Sequence, residues 1–296
     1  MNPIFQLLDE RGELLARCTF PPRATHVACA FSGGADSTAL VVLAVAAGCA
    51  VTAHHVDHGV RSDSGADAAM ARATAAELGV EFVLHHVDVA PGPNLEARLR
   101  QARHDVLPDG VLTGHTADDQ AETVLLNLLR GAGLDGLTAM SPGPTKPLLA
   151  LRRHETLGLC ATLGLAVATD PTNTDPTFRR NRIRHEALPL LADIAQRDPV
   201  NVLARTADVL RHDLDLLDGL AAEVDPTDAR QLAAAHPALA SRAVRRWLAA
   251  DGYAPDSAAV ERVLAVATGT HLACELTGGR RVERSGQRLR VVTPAR

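Results

Sequence analysis

The most informative segment of this chain is Phe31-Ser32-Gly33-Gly34-Ala35-Asp36-Ser37. It follows a short apolar run, Val27 to Ala30, and precedes a second apolar run that begins at Thr38. This order predicts a strand, a tight glycine turn and a helix. Two adjacent glycines let backbone N–H groups surround an anion, and the N-terminus of the next helix adds partial positive charge. The segment therefore indicates a phosphate site.

The same turn suits a pyrophosphate accompanied by a divalent cation. Ser32 and Ser37 offer hydroxyl groups, and the Asp36 carboxylate would repel phosphate unless Mg²⁺ lay between them. A glycine turn that only joins a strand to a helix is the simpler interpretation. The run nevertheless resembles the SGGxDS signature of the PP-loop ATP pyrophosphatases, and it lacks the spacing and the lysine of a Walker A loop. We expect the ATP site to comprise Ser32, Gly33, Gly34, Ala35, Asp36 and Ser37, with the metal on Asp36.

Composition narrows the class of protein. The chain has 296 residues, 46% of them hydrophobic but only 2% aromatic, so we expect an aliphatic core. It contains no apolar stretch long enough for a membrane span, and its first residues do not resemble a secretory signal. The five cysteines are never in a CxxC arrangement. This pattern predicts a cytoplasmic protein without a zinc or iron–sulfur site.

Charge is unevenly distributed along the chain. Residues 1–177 carry 12 basic and 20 acidic side chains, whereas residues 236–296 carry 10 basic and 5 acidic ones. An acidic body with a basic C-terminal part suits a metal–nucleotide site joined to a surface that binds nucleic acid. A small arginine-rich domain without such a role is the alternative.

Strand and helix patterns alternate through the first half of the chain. Apolar runs predict strands at 27–31, 51–56, 80–87 and 110–114, and helical patterns lie between them. We therefore predict an α/β fold with a doubly wound, mostly parallel sheet. Ligands bind such sheets at the carboxyl ends of the strands, where the Ser32 turn and two further motifs are expected to meet.

The remaining sequence predicts a second, smaller domain. Helical patterns continue to about residue 222, and Asp225-Pro226 indicates a break in structure. Further helices and a hairpin pattern with turns at Gly278-Gly279 and Ser285-Gly286 follow. We predict a catalytic domain over residues 1–222 and a smaller, mainly helical domain over residues 223–296 that binds nucleic acid.

The second motif contains three histidines, His54, His55 and His58, followed by Arg61. Neighbouring residues on a strand point to opposite faces, and the set has no well-spaced partner ligand, so a zinc site is disfavoured. We instead expect His58 and Arg61 to line the nucleotide pocket.

The third motif is Gly114-His115-Thr116-Ala117-Asp118-Asp119-Gln120-Ala121-Glu122-Thr123. Thr116 is a suitable N-cap with Asp119 at capping-box spacing, which would explain the acidic residues structurally. Asp119 and Glu122 also share one helix face. The two carboxylates are thus candidates to hold a cation, either Mg²⁺ or the ammonium group of a substrate.

The fourth motif places four arginines near a predicted helix start: Arg179, Arg180, Arg182 and Arg184. A solvated basic helix start is the simplest interpretation. Because cations are unfavourable at a helix N-terminus, the cluster also suggests an anion, such as the phosphates of ATP or RNA.

Taken in order, these motifs resemble the tRNA(Ile)-lysidine synthetase family over roughly residues 27–190, and the segment 242–248 is similar to that family's helical domain. The resemblance implies adenylation of a wobble cytidine in an isoleucine tRNA with a CAU anticodon, followed by attack of free L-lysine. It implies that Asp36, Asp119 and Glu122 are catalytic, and that lysine meets His115, Asp118, Asp119 and Glu122. The tRNA or phosphate contacts it implies are Arg179, Arg180, Arg182, Arg184, Arg242, Arg245 and Arg246.

Some points stay open at the level of sequence. Longer members of the family carry a further C-terminal domain, so the chain resembles a short form. A homodimer is compatible with the sequence. The nearest alternative function is that of another PP-loop enzyme, a tRNA thiolase, but such enzymes usually use paired cysteines.

Overall fold

The computed structural model describes residues 12–57, 64–90, 92, 95–168, 175–250 and 255–292. The chain divides into two compact units between Ala207 and Asp208. This division lies inside a helix that we expected to trail the first domain. Each unit is described by itself below.

A parallel sheet forms the centre of the first unit. Its strands β1 (His26–Ala30), β2 (Ala50–Asp57) and β3 (Glu81–His86) lie in the order β1-β2-β3. Leu112 pairs with Cys29 of β1 in a parallel bridge. Because β2 occupies one edge of β1, Leu112 lies at the other edge. The winding direction therefore reverses at β1, which is where α/β sheets bind their ligands.

The sequence predicted a full strand at 110–114, and this prediction is wrong in its extent. Only Leu112 pairs with the sheet, through this one bridge. Leu112 exchanges hydrogen bonds of 2.8 Å with Ala28 and Ala30, but the next amide, of Thr113, donates to the carbonyl of Thr145 at 2.9 Å. The chain thus leaves the sheet directly after Leu112.

Helices surround the sheet close to their predicted positions. The helices of the first unit begin with α1 (Gly12–Ala16), α2 (Ala35–Ala46), α3 (Ser64–Glu77), α4 (Leu95–Val106), α5 (Ala117–Leu129), α6 (Leu134–Leu137) and α7 (Arg153–Thr162). Helix α2 is buried without interruption from Ser37 to Ala44. A helix that is apolar on every side belongs in the interior, and α2 packs on β1, β2 and α7. The phosphate turn is therefore attached to the most deeply buried helix of the unit.

The arginine motif forms a composite helix. Helix α8 (Arg179–Arg182) leads into a π-helical turn, Ile183–Ala187, and then into α9 (Leu188–Ala195). In a π turn, residues five apart stack on one another. Ile183 and Leu188 are consequently both buried in a small core with Ala117 and Ala121 of α5. This contact places the arginine segment against the start of α5.

The second unit has its own core. After α10 (Pro199–Ala222) come α11 (Ala229–Ala234), α12 (Pro237–Ala250) and α13 (Ser257–Thr268). An antiparallel sheet of β4 (Ala273–Glu275), β5 (Arg281–Ser285) and β6 (Arg288–Val292) completes it. The predicted hairpin is therefore present. Within the described parts of the chain, no helix has both the length and the apolar character needed to cross a membrane.

Candidate active site

The phosphate turn is preorganised by its own side chains. Gly33 has a φ of +82°, a conformation that favours glycine. The Ser37 hydroxyl donates to the Gly34 carbonyl at 2.9 Å and accepts from the Ser32 amide at 3.2 Å. The Gly33 carbonyl accepts from Ala168 at 2.8 Å, so it is held away from the turn. Since the first N–H groups of a helix have no partner within it, the start of α2 is left to bind an anion.

Asp36 lies in the first turn of α2 and faces α7. Its carboxylate accepts from the Thr156 hydroxyl and from Arg153 Nε, the latter at 3.3 Å. Burial raises the pKa of Asp36 above its usual range, and these two donors offset only part of that effect. A carboxylate in this setting gains from a neighbouring positive charge.

The start of α5 has the predicted capping box. The Asp119 carboxylate accepts from the Thr116 amide at 2.9 Å, and its other oxygen accepts from Arg153 Nη2 at 2.8 Å. Burial alone would raise the pKa of Asp119, but the charge of Arg153 and the Thr116 amide outweigh it and lower the pKa. Asp119 therefore caps the N-terminus of α5 and also contributes a carboxylate to the candidate active site.

Arg153 is the residue that joins the carboxylates, and no sequence motif pointed to it. Its Nε lies near Asp36, its Nη2 near Asp119, and its Nη1 donates to Glu122 at 3.0 Å. Burial by itself would lower the pKa of Arg153, but the three negative charges raise it. One guanidinium thus connects the phosphate turn with the α5 motif, which were expected to meet at this edge of the sheet.

Glu122 is fully buried and surrounded by arginines. Arg184 binds it through two hydrogen bonds, of 2.7 and 3.1 Å, and Arg153 supplies a third. Arg180 Nε lies 3.1 Å from Glu122 but makes no hydrogen bond there, although its Nη2 donates to Thr123 at 2.8 Å. The anion that the arginine motif predicted is, in this structure, a carboxylate of the protein.

The other two arginines of the motif lie elsewhere. Arg182 pairs with Glu186 at 2.8 Å on the exposed side of the helix, and Arg179 is exposed. The structure therefore separates the motif into a pair that faces α5, Arg180 and Arg184, and a pair that faces solvent.

Asp118 makes a different set of contacts from its neighbour. It accepts from Arg152 Nε at 3.0 Å, from Arg152 Nη2 at 3.2 Å and from the Arg153 amide at 2.8 Å. Burial opposes ionisation, yet these donors outweigh it and lower the pKa of Asp118. Its expected role in lysine binding stays a prediction, while its visible effect is to fix the backbone from which Arg153 projects.

His115 lies against the Thr113 hydroxyl. Its Nδ1 is 2.8 Å from that hydroxyl, which also lies 3.1 Å from the Thr145 carbonyl. A hydroxyl that donates to Thr145 accepts from Nδ1–H, in the tautomer that leaves the lone pair on Nε2. Burial lowers the pKa of His115, which favours the neutral imidazole.

The histidine motif is divided between the two faces of β2, as predicted. His54 Nδ1 lies 2.9 Å from Nε2 of His85 on β3, whereas His55 is buried and bonds the Phe31 carbonyl at 2.8 Å. Among the residues that the structure describes, no three or more His, Cys, Asp or Glu side chains are grouped so that they could hold a metal ion. His58 and Arg61, expected at the nucleotide, lie outside the described residues.

The three arginines of the second unit that were predicted to contact tRNA or phosphate differ in their exposure and in their contacts. Arg242 donates to the Asp218 carboxylate at 2.9 Å and is only 14% exposed, whereas Arg246 is exposed and reaches the Asp218 carbonyl at 3.1 Å. Arg245 is half-buried. Arg242 is therefore engaged in packing, and the other two are better placed to meet a partner.

Comparison with known proteins gives family matches in both units of the chain. Residues 9–191 match the model of the PP-loop domain, which uses ATP, and residues 228–290 match that of the TilS substrate binding domain. A tRNA(Ile)-lysidine synthase of Nocardia farcinica is 45% identical over 248 residues, 78% of each chain. This chain belongs to the tRNA(Ile)-lysidine synthase family.

Other similarities are consistent with that family. The tRNA(Ile)-lysidine synthase of Rhodococcus erythropolis is 44% identical over 270 residues, 83% of each chain. Among solved structures, a U34-tRNA thiolase from Methanococcus maripaludis aligns with a TM-score of 0.52 and 20% identity, over 69% of this chain and 79% of its own. At that identity the thiolase supports the fold alone.

Proposed function

We propose that this chain ligates lysine to the wobble cytidine of an isoleucine tRNA with a CAU anticodon, at the expense of ATP. The cytidine C2 oxygen attacks the α-phosphorus of ATP and pyrophosphate leaves. The lysine ε-amine then attacks C2, AMP leaves with the oxygen, and one proton is released. The observation that carries the proposal is the meeting of Asp36, Asp119 and Glu122 at one guanidinium, beside the phosphate turn.

The phosphate turn and Asp36 suit ATP with Mg²⁺. Mg²⁺ usually takes one or two carboxylates and completes its shell with substrate phosphates and water. One partly buried carboxylate at the edge of an anion-binding turn matches that donor set. Asp36 would hold the ion, which when bound would neutralise charge on the phosphates. We place the ATP phosphates against Ser32, Gly33, Gly34, Ala35 and Ser37.

Asp119 and Glu122 are proposed to receive the lysine ammonium group. Both carboxylates accept hydrogen bonds from one guanidinium, whose Nη2 lies 2.8 Å from Asp119 and whose Nη1 lies 3.0 Å from Glu122. The lone pair on His115 Nε2 is suited to take a proton from the ammonium, which must become a neutral amine before it attacks. The protein otherwise aligns two substrates and needs no nucleophile of its own.

The arginines are proposed to meet phosphate. Within the arginine motif, Arg180 and Arg184 are paired with Glu122, whereas the exposed Arg179 suits an oxygen of ATP or tRNA. In the second unit the exposed Arg246 and its neighbour Arg245 suit the tRNA backbone. These contacts would position the tRNA without reading its sequence.

Thiolase chemistry is disfavoured by the state of the cysteines. Burial raises the pKa of Cys29 to about 12 and that of Cys160 to about 11. A thiol in that state carries almost no thiolate at neutral pH, and thiolate is the reactive form.

Mass analysis of nucleosides tests the proposal. Purified protein is incubated with an isoleucine tRNA transcript with a CAU anticodon, ATP, Mg²⁺ and ¹⁵N-labelled lysine, and the tRNA is then digested. A cytidine carrying labelled lysine is expected, and it should be absent when ATP is omitted or when the anticodon cytidine is replaced. A sulfur-containing nucleoside, or no modified cytidine, would contradict the proposal.

A further inference from the structure

Arg153 occupies the position that the proposed function assigns to the substrate cation. Its three nitrogens contact three different carboxylates, on Asp36, Asp119 and Glu122. Among the described residues, it is the only cation within hydrogen-bonding distance of both Asp36 and Asp119, because Arg184 comes no closer than 4.0 Å to Asp119. The site thus contains a positive group before any ligand arrives.

The charges explain why such a group is needed. Glu122 is fully buried and Asp119 nearly so, with 14% of its side chain exposed. Burying carboxylates without a compensating charge is costly, and like charges on adjacent side chains add to that cost. An empty site with Asp36, Asp119 and Glu122 ionised therefore requires a counterion from the protein.

The side chain of Arg153 is also able to leave. Its backbone amide is fixed by Asp118 at 2.8 Å, and α7 begins at this residue, so the guanidinium can turn away without moving the helix. It retains 21% exposure, whereas Arg184 keeps two bonds to Glu122 that do not depend on Arg153.

We infer that the Arg153 guanidinium occupies the subsite for the lysine ammonium group in the absence of lysine. Substrate lysine has to displace this guanidinium, and the competition weakens the affinity of the protein for lysine. This inference rests on the proposed function for the identity of the ligand. A ligand that must displace a resident group binds with an apparent affinity reduced by the fraction of open sites. Removing the resident group should therefore tighten lysine binding.

Calorimetric titration of lysine into Arg153→Met and wild-type protein tests the inference. The variant should bind lysine at least about tenfold more tightly. If Arg153 only supported the structure of the site, the variant would instead bind lysine more weakly. Arg290→Met is the matched control, because Arg290 also pairs with a carboxylate, that of Glu283, but belongs to the second unit. It should bind lysine as the wild type does. Equal or weaker binding by a folded Arg153→Met protein would overturn the inference.

A second measurement addresses folding and the identity of the ligand. Melting temperatures are recorded with and without millimolar methylguanidinium, a small replacement for the missing side chain. We expect stabilisation of Arg153→Met and none of the wild type, and the equally neutral Arg153→Gln serves if the Met variant does not fold. If methylguanidinium stabilises neither variant, the inference fails. If it stabilises the variant while lysine binds neither protein, occupancy of a cation subsite stands and the assignment of lysine fails.

Discussion

The backbone of Gly114 lies directly against the backbone of Asp36. A Cβ added to Gly114 would sit 2.6 Å from the Asp36 carbonyl oxygen and 2.8 Å from its carbonyl carbon. These distances are too short for non-bonded atoms, and the atoms in the way belong to the main chain, which cannot rotate aside. The segment that leaves the sheet after Leu112 thus supports the phosphate turn through a glycine.

Gly114→Ala should therefore displace the first turn of α2. We expect a loss of about 1–3 kcal/mol in the free energy of unfolding, typical of overpacking, together with slower pyrophosphate release. Gly158→Ala is the matched control, because it lies inside α7 with nothing within 4 Å of the added Cβ. That change should stabilise the protein by about 0.5–1 kcal/mol. Chemical denaturation of both variants gives the comparison, and equal stabilities would refute the steric argument.

Asp36→Ala should abolish adenylation in a folded protein. A carboxylate that holds a metal beside phosphates supplies several kcal/mol, so the rate should fall by more than about a hundredfold. Pyrophosphate release with tRNA and ATP measures the step, and circular dichroism monitors the fold. Near-normal release would exclude Asp36 from the metal site.

Asp119→Asn should separate the two half-reactions. Removal of a charged hydrogen bond of about 1.5–3 kcal/mol should raise the lysine requirement by one to two decades, while adenylate still forms. Adenylated tRNA and lysidine are quantified separately over a range of lysine concentrations. Loss of adenylation with an unchanged lysine requirement would instead place Asp119 at the metal.

Asp118→Asn should destabilise the protein in a pH-dependent way. The pKa of Asp118 is lowered in the folded state, so its stabilising contribution is complete above the unfolded value of about 3.9 and disappears as the pH falls through the folded value. At pH 7 we expect a loss of about 2 kcal/mol, which should shrink below about pH 4. Urea titrations from pH 7 to pH 3 check this, and a difference that is constant with pH would disprove the ionic origin.

The arginines of α12 should fall into two classes. Changing Arg245 and Arg246 to Ala should weaken tRNA binding and lower the log–log salt slope by about 0.7 to 0.9 for each phosphate that is no longer neutralised. Arg242→Ala should instead lower stability, because Arg242 is paired with Asp218 at 2.9 Å. Binding titrations at several salt concentrations distinguish the two effects. An unchanged slope in the double variant would remove both residues from the tRNA surface.

Local patterns predicted those parts of the site that depend on neighbours in sequence. The strand–turn–helix around Gly33 and the shared face of Asp119 and Glu122 follow from backbone geometry and helical spacing. The capping box at Thr116 was predicted for the same reason. Each of these features is set within a few residues, so a single sequence is enough to find it.

Arg153 was missed because its role depends on tertiary packing. It stands 31 residues after Glu122 and 117 after Asp36, in a segment with no motif of its own. Only the packing of α7 on α2 brings it to the carboxylates. The shortening of the strand at 110–114 has a similar origin, since the Thr145 carbonyl that draws Thr113 away belongs to a distant loop.

The π-helical turn at Ile183–Ala187 makes chain length itself a determinant of the site. Because Ile183 and Leu188 are both anchored in the core, the backbone between them has a fixed number of residues to accommodate. Exposed side chains such as His185 and Glu186 can change in identity at little cost. Inserting one residue would place the two anchors six positions apart, on different sides of a helix, whereas deleting one would place them four apart, where ordinary helical spacing still puts both on one face. Natural variation in this segment should therefore appear as replacements and single deletions, while insertions should be rare.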